Sequence, residues 1–189
     1  MKLKKETYPN PWKTLSKSVE YNNPWIKVTE HQVINPAGSD GIYGVVHFKS
    51  QAIGIVPLDE NYNTYLVGQY RYALDEYSWE IPEGGSPLGE SSLATAKREL
   101  EEETGLLADE WIEILKMHTS NSVTDEVGYA FVARQLHQGV AQPEDTEDLK
   151  VWKLPFQQAF EMAMNSEITD SLSVISLFKV KLLIDQGKL

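Results

Sequence analysis

Glu99, Glu102 and Glu103 are spaced i, i+3 and i+4. On a helix that spacing sets all three carboxylates on one face. Neighbouring like charges cost a helix stability, so a compensating partner is expected. A hard divalent cation suits the role. Mg²⁺ takes carboxylate oxygens, keeps several waters and completes its shell with substrate phosphates. The plain alternative is a solvated acidic helix face. Gly84, Glu90, Arg98 and Gly105 flank the acids and favour the first reading. Arg98 adds a fork-shaped donor that can hold Glu90 or a ligand carboxylate.

The acids need a helix beneath them. Ser91 or Ser92 can cap its start, and Gly105 suits the left-handed residue that follows a helix. Leu93, Ala96 and Leu100 recur at three- and four-residue steps and mark its buried stripe. The glycines at either end are expected to be turns. Upstream, Leu15–Tyr21, Ile26 to Pro36, Ile42–Phe48, Ala52–Leu58 and Tyr65–Tyr70 read as strands, with Gly38–Gly41 as a hairpin and Asp59–Asn63 as a turn. Trp79–Pro82 leads into the acidic segment. Downstream, Trp111–His118, Tyr129–Leu136 and Leu149–Trp152 read as strands, and Gln138–Asp148 as an acidic loop. Helices are expected at Phe156–Met164 and Ser171–Ile184, the second with a stripe of Leu172, Ile175, Phe178 and Leu182. Mixed strands with helices on both sides imply an α/β sandwich.

The chain has 189 residues, enough for a real core. Without cysteine, disulfides, thiolate zinc sites and cysteine nucleophiles are excluded. The formal net charge of −11 argues against nucleic-acid binding, which usually needs a basic patch. An acidic enzyme with an anionic substrate must supply positive charge locally, from metal ions and from Arg71, Arg98 and Arg134. Met1–Asn10 is lysine-rich but precedes no apolar run, so no signal peptide is expected. No stretch approaches the ~20 apolar residues of a membrane span. The expected location is the cytoplasm.

Residues 84–106 combine these features: Gly84, five residues, Glu90, seven residues, then Arg98-Glu99-Leu100-x-Glu102-Glu103-x-Gly105-Leu106. This segment resembles the signature box of the Nudix hydrolases at every defined position. At ordinary residue frequencies that is a coincidence of about one in a billion per window. The resemblance implies an α/β, Nudix-type αβα sandwich with a mixed β-sheet. It also implies an N-terminal antiparallel strand region, residues 1–48, used in dimerisation, beside a catalytic domain at 49–189. Glu99 and Glu103 would be the principal metal ligands, Glu102 would assist, and Glu83 would contribute its backbone carbonyl. Arg98 and Glu102 join the catalytic set. The implied cofactor is Mg²⁺, with Mn²⁺ as a substitute.

Pro24-Trp25-Ile26, Gln69-Tyr70-Arg71, Glu80-Ile81-Pro82-Glu83-Gly84 and Glu167-Ile168-Thr169-Asp170 resemble the ADP-ribose pyrophosphatase and nucleoside-diphosphate-sugar hydrolase branch. The reaction implied is hydrolysis of a nucleoside diphosphate sugar to a nucleoside monophosphate and a sugar phosphate, by a homodimer. A dinucleoside polyphosphate or nucleoside triphosphate hydrolase, and a non-catalytic ligand sensor, are the alternatives. Trp25 and Tyr43 match the aromatic positions that stack the nucleobase; an ordinary buried anchor is the other reading of Trp25. Arg71 is expected to touch the pyrophosphate or the distal sugar phosphate, unless it is an edge-strand surface residue. Glu80 would meet base or ribose, or hold Arg71. Glu126 is a further candidate for substrate contact. The general base is expected on the late loop, at Glu147, with Glu144 or Asp145 as alternatives. One departure is notable. Asn121 and Ser122 stand where the branch carries Pro and Gly, which points to a broader range of sugars, GDP-mannose among them.

Overall fold

A computed structural model describes residues 7–139 and 149–189. The chain divides into two compact units, one built from the residues up to Lys49 with Ser120–Asp125, the other from Ser50–Thr119 and Glu126–Leu189.

The first unit is a three-stranded antiparallel sheet of β1 (Lys13–Asn22), β2 (Ile26–Ile34) and β3 (Asp40–Phe48), in the order β1-β2-β3. Every residue of β1 is exposed, including Leu15, Val19 and Tyr21. The Ser120–Asp125 segment joins this unit through Val46 N–H to Val123 O (2.9 Å) and Asp125 N–H to Val46 O (3.3 Å).

The second unit is an αβα sandwich. Its central sheet runs β7-β4-β9-β8, formed by β4 (Ser50–Pro57), β7 (Glu83–Pro87), β8 (Leu106–His118) and β9 (Val127–Gln138). The sheet is mixed, with β4 and β9 parallel and the other pairs antiparallel. A smaller antiparallel sheet runs β10-β5-β6, from β5 (Asn63–Arg71), β6 (Glu76–Glu80) and β10 (Lys150–Pro155). The helices are α1 (Ser92–Thr104), α2 (Phe156–Met164) and α3 (Ser171–Asp185).

Side chains alternate across a strand, and the core follows that alternation. Ile53, Ile55, Phe131 and Ala133 pack with Ala96 and Leu100 of α1. Val56, Ala130 and Val132 pack with Leu172, Leu177 and Val180 of α3 on the other face. No helix among the described residues is long and apolar enough to cross a membrane.

The structure departs from the sequence expectations in two places. The first glycine segment of the box is not a turn. Gly84 and Gly85 lie in β7, paired with Ile53 and Ala52 of β4. The apolar stripe of α3 is also rotated. Leu172, Ser173, Ser176, Leu177 and Val180 face inward, while Ile175 and Leu182 are exposed. A polar contact helps explain it: Ser173 Oγ accepts a hydrogen bond from the buried Ile81 N–H at 3.0 Å. A buried backbone donor left unpaired would cost about 1–3 kcal/mol, so a serine on that face is worth more than its hydropathy suggests.

Candidate active site

Helix α1 presents the box. Ser91 is its N-cap, but its side chain makes no capping hydrogen bond. Gly105 ends it at φ 69°, and its N–H donates to Glu101 O. That left-handed conformation is one only glycine adopts without strain. The buried face is Thr95, Ala96, Leu100 and Glu103. Glu103 therefore sits at the edge of the core, only 4% exposed. Its Oε2 accepts the Glu83 N–H at 3.0 Å, binding the helix to the start of β7. Thr95 Oγ1 donates to Ser86 Oγ at 2.9 Å and makes a second link between them.

Gly84 is glycine for a steric reason. A Cβ there would lie 2.0 Å from the carboxyl carbon of Glu99. The Glu99 carboxylate is thus packed directly against the β7 backbone. Arg98 closes its fork on the other box acids, with Nη2 at 2.7 Å from Glu99 Oε1 and Nη1 at 2.6 Å from Glu102 Oε2. Burial works against the Arg98 charge, but Glu99 and Glu102 outweigh it and raise the guanidinium pKa. Among the described residues, no three acids or histidines already converge on a metal-holding point. The chemistry of the donor set still fits a hard divalent cation: Glu99, Glu102 and Glu103 are oxygen donors on one helix, brought against the Glu83–Gly84 main chain.

A second cluster surrounds Arg71 at the end of β5. Its Nε donates to Glu80 Oε1 at 2.9 Å and to Oε2 at 3.1 Å, and its Nη2 also grips Glu80 Oε2. The same Nη2 donates to Glu83 Oε1 at 2.9 Å. Glu80 is 3% exposed. Its hydrogen bond is the main cause that raises the Arg71 pKa above its ordinary value. Burial pushes the Glu83 carboxyl well above the ordinary carboxylate range. Asp170 and Glu80 push it further, with Arg71 pulling the other way. Glu83 Oε2 is buried and has no hydrogen-bond partner. Arg71, Glu80, Glu83 and Asp170 line a cavity of about 590 Å³.

The structure thus gathers Arg71, Glu80 and Glu83 into one cluster and Arg98, Glu99 and Glu102 into another, with Glu103 bonded to Glu83. Glu126 accepts a hydrogen bond from Thr119 Oγ1 at 2.6 Å. Trp25 and Tyr43 belong to the first unit. Trp25 is 72% exposed, so it is not a buried anchor within this chain. The Tyr43 hydroxyl donates to Ser122 O, and its ring meets Trp12 edge-on at a centroid distance of 5.3 Å. Glu144, Asp145 and Glu147 lie outside the described residues. Sequence reasoning named Asp170 within the Glu167–Asp170 segment but gave it no place in the site. It caps α3 by accepting the Ser173 N–H at 2.7 Å. An Asp before the apolar run of α3 was the available signal.

Known proteins resemble this chain in sequence and fold. Residues 49–172 match the NUDIX domain and residues 12–46 the nucleoside diphosphate sugar hydrolase N-terminal domain. An ADP-ribose pyrophosphatase of Mycobacterium tuberculosis is 30% identical over 89% of this chain and 83% of its own. An ADP-ribose pyrophosphatase of Bacillus subtilis is 27% identical over 87% and 90%. The crystal structure of an ADP compounds hydrolase superposes with a TM-score of 0.85 at 20% identity, covering 97% of this chain and 100% of that one. With the acid-bearing helix, the β7 strand against it and a domain match across most of the length, the chain belongs to the Nudix hydrolases.

Proposed function

We propose that the protein hydrolyses the diphosphate of ADP-ribose or related nucleoside diphosphate sugars, releasing a nucleoside monophosphate and a sugar phosphate. The bond attacked is an acid anhydride. The carrying observation is the close packing of the Glu99 carboxylate on Gly84, which sets box acids and the β7 main chain side by side. The ADP-ribose pyrophosphatase relatives and the match to a nucleoside diphosphate sugar hydrolase N-terminal domain support the substrate class.

Glu99, Glu102 and Glu103, with the Glu83 carbonyl, would hold Mg²⁺ or Mn²⁺. When bound, the metal supplies neutralisation of the diphosphate and an acidified water. Arg98 sets the positions of Glu99 and Glu102. Arg71, Glu80 and Glu83 shape the cavity that receives part of the substrate. Glu147, or Glu144 beside it, serves as the general base, and a base on a loop can close over bound substrate. Residues 1–48 act as the dimerisation region beside the catalytic domain, and the wholly exposed β1 supports a homodimer. Trp25 and Tyr43 stack the nucleobase, and Glu126 contributes to substrate contact. The acidic net charge argues against nucleic-acid binding, and the location we propose is the cytoplasm.

The test is a substrate panel with Mg²⁺: ADP-ribose, ADP-glucose, GDP-mannose, UDP-glucose and a dinucleoside polyphosphate, each reported as kcat/KM. AMP and ribose 5-phosphate from ADP-ribose is the expected outcome. A clear preference for the polyphosphate would overturn the assignment. Asn121 and Ser122 favour comparable rates on more than one sugar.

A further inference from the structure

The cavity around Arg71 carries more chemistry than the proposed cleavage requires. Its charged wall holds Glu80, Glu83 and Asp170 against a single guanidinium. Arg71 already spends its Nε and Nη2 on Glu80 and Glu83. A phosphate placed here would meet carboxylates in excess of cations. The wall instead offers acceptors, the carboxyl groups of Glu83 and Asp170 among its lining. An occupant must therefore bring hydrogen-bond donors without negative charge.

Part of the lining is apolar and aromatic. Tyr72, Ala73 and Leu74 line the same cavity. The Tyr72 ring is 95% exposed, so its faces are open to a ligand. Leu74, in the same lining, is also exposed. Single exposed apolar residues are ordinary, but a group of them at a cavity mouth marks a binding surface.

This part of the lining is held in place before any ligand arrives. Leu74 N–H and Asp75 N–H both donate to Arg71 O at 3.0 Å, which folds the turn back onto the arginine of the charged wall. Asp75 takes φ 57°, a conformation Asp tolerates better than most residues. Its Oδ1 accepts the Tyr70 hydroxyl at 2.6 Å. A turn fixed in this way loses little freedom on binding.

An aromatic ring and carboxylate acceptors lining one cavity match one ligand chemistry well. A sugar ring has an apolar C–H face to lie on the aromatic ring and hydroxyls to donate to the acids. We infer that Tyr72 is a specificity-determining residue, the platform for the distal sugar of a nucleoside diphosphate sugar, whose hydroxyls are received by Glu83 and Asp170. The inference rests on the proposed function and assigns this cavity to the sugar end of the substrate.

The experiment compares wild type, Tyr72→Ala and Tyr72→Phe on two substrates: ADP-ribose, and ADP whose terminal phosphate is capped by a methyl group. Tyr72→Ala is expected to raise KM for ADP-ribose about tenfold with little change in kcat, the scale of one aromatic contact. The methyl-capped compound should be hydrolysed by wild type and Tyr72→Ala alike, and Tyr72→Phe should behave as wild type on both. An equal loss on both substrates, or no change on ADP-ribose, overturns the role of Tyr72 and leaves the proposed function standing. Failure of the wild type to hydrolyse any nucleoside diphosphate sugar overturns the proposed function and this inference with it.

Discussion

Arg71 and Arg98 are about equally exposed and each holds two glutamates, but Glu80 beside Arg71 is far more buried than Glu102 beside Arg98. Arg71 grips Glu80, which is almost wholly buried, and the half-buried Glu83. Arg98 grips Glu99, whose side chain is 12% exposed, and Glu102, whose side chain is 31% exposed. A buried pair is expensive to break because the remaining charge stays desolvated. An exposed pair is screened and contributes about 0–1 kcal/mol. The Arg71 cluster is therefore suited to keeping a cavity in shape. The Arg98–Glu102 pair can exchange partners more readily, which the proposed metal-holding role of this helix face would require. Glu103 stands between them, bonded to the Glu83 N–H.

The largest expected effect is at Glu103. Glu103→Gln should lower kcat on the order of a thousandfold with Mg²⁺, the loss of several kcal/mol of charge stabilisation. Glu103 is buried rather than surface-facing, but glutamine keeps an acceptor oxygen for the Glu83 N–H, so the fold should survive. Near wild-type kcat in a folded mutant would remove the metal assignment. Next comes Arg71→Ala, which strands Glu80 in the interior. It should cost about 3 kcal/mol, or roughly 10 °C in Tm for a chain of this size. A shift of only one or two degrees would make the Arg71 cluster no more structural than a surface pair.

The positions of these side chains were legible to very different degrees. Helix α1 was readable to within a residue, because Ser91, Gly105 and the Ala96–Leu100 periodicity are local signals. Strand β7 was not. Gly84 and Gly85 look like turn residues, and the reason for glycine at 84 is the Glu99 carboxylate fifteen residues later in the chain. The face of α3 was misread for a similar cause: Ser173 turns inward to meet the Ile81 N–H on a distant segment. The partners of Arg71 were equally hidden. Glu80 as a holder of Arg71 was one of two readings, and nothing local indicates that Glu83 joins it. Local propensity is written in adjacent residues, while these contacts depend on how strands and helices meet.

Glu83→Gln sharpens the comparison from the other side. The Glu83 carboxyl titrates above its ordinary value of 4.5, first because of burial and then because of Asp170 and Glu80. The folded protein thus binds that proton more tightly than the unfolded chain. Its contribution to stability is greatest below pH 4.5 and is lost as pH rises toward the folded pKa. Glutamine removes the ionisation and keeps an acceptor for Arg71. The variant should melt a few degrees higher than wild type at neutral pH, and the gain should shrink to nothing near pH 4. A lower Tm at neutral pH would mean that Arg71 outweighs the burial of Glu83 and the neighbouring acids.

The smallest stability effect belongs to Arg98. Arg98→Ala removes a part-exposed pair with Glu102 and a pair with the mostly buried Glu99, both made by an arginine that solvent reaches, so the change in stability should be about 1 kcal/mol. That difference should fade further in 1 M salt, where the Debye length drops to about 3 Å. Activity should respond more strongly than stability, because Glu99 and Glu102 lose the fork that fixes their positions. A fall in kcat/KM of about tenfold alongside a nearly unchanged Tm is the expected pattern. A loss above about 2 kcal/mol, insensitive to salt, would show that the box acids are locked as firmly as Glu80 and Glu83. A metal would then have to displace a structural ion pair to bind, and the contrast between the two arginines would fail.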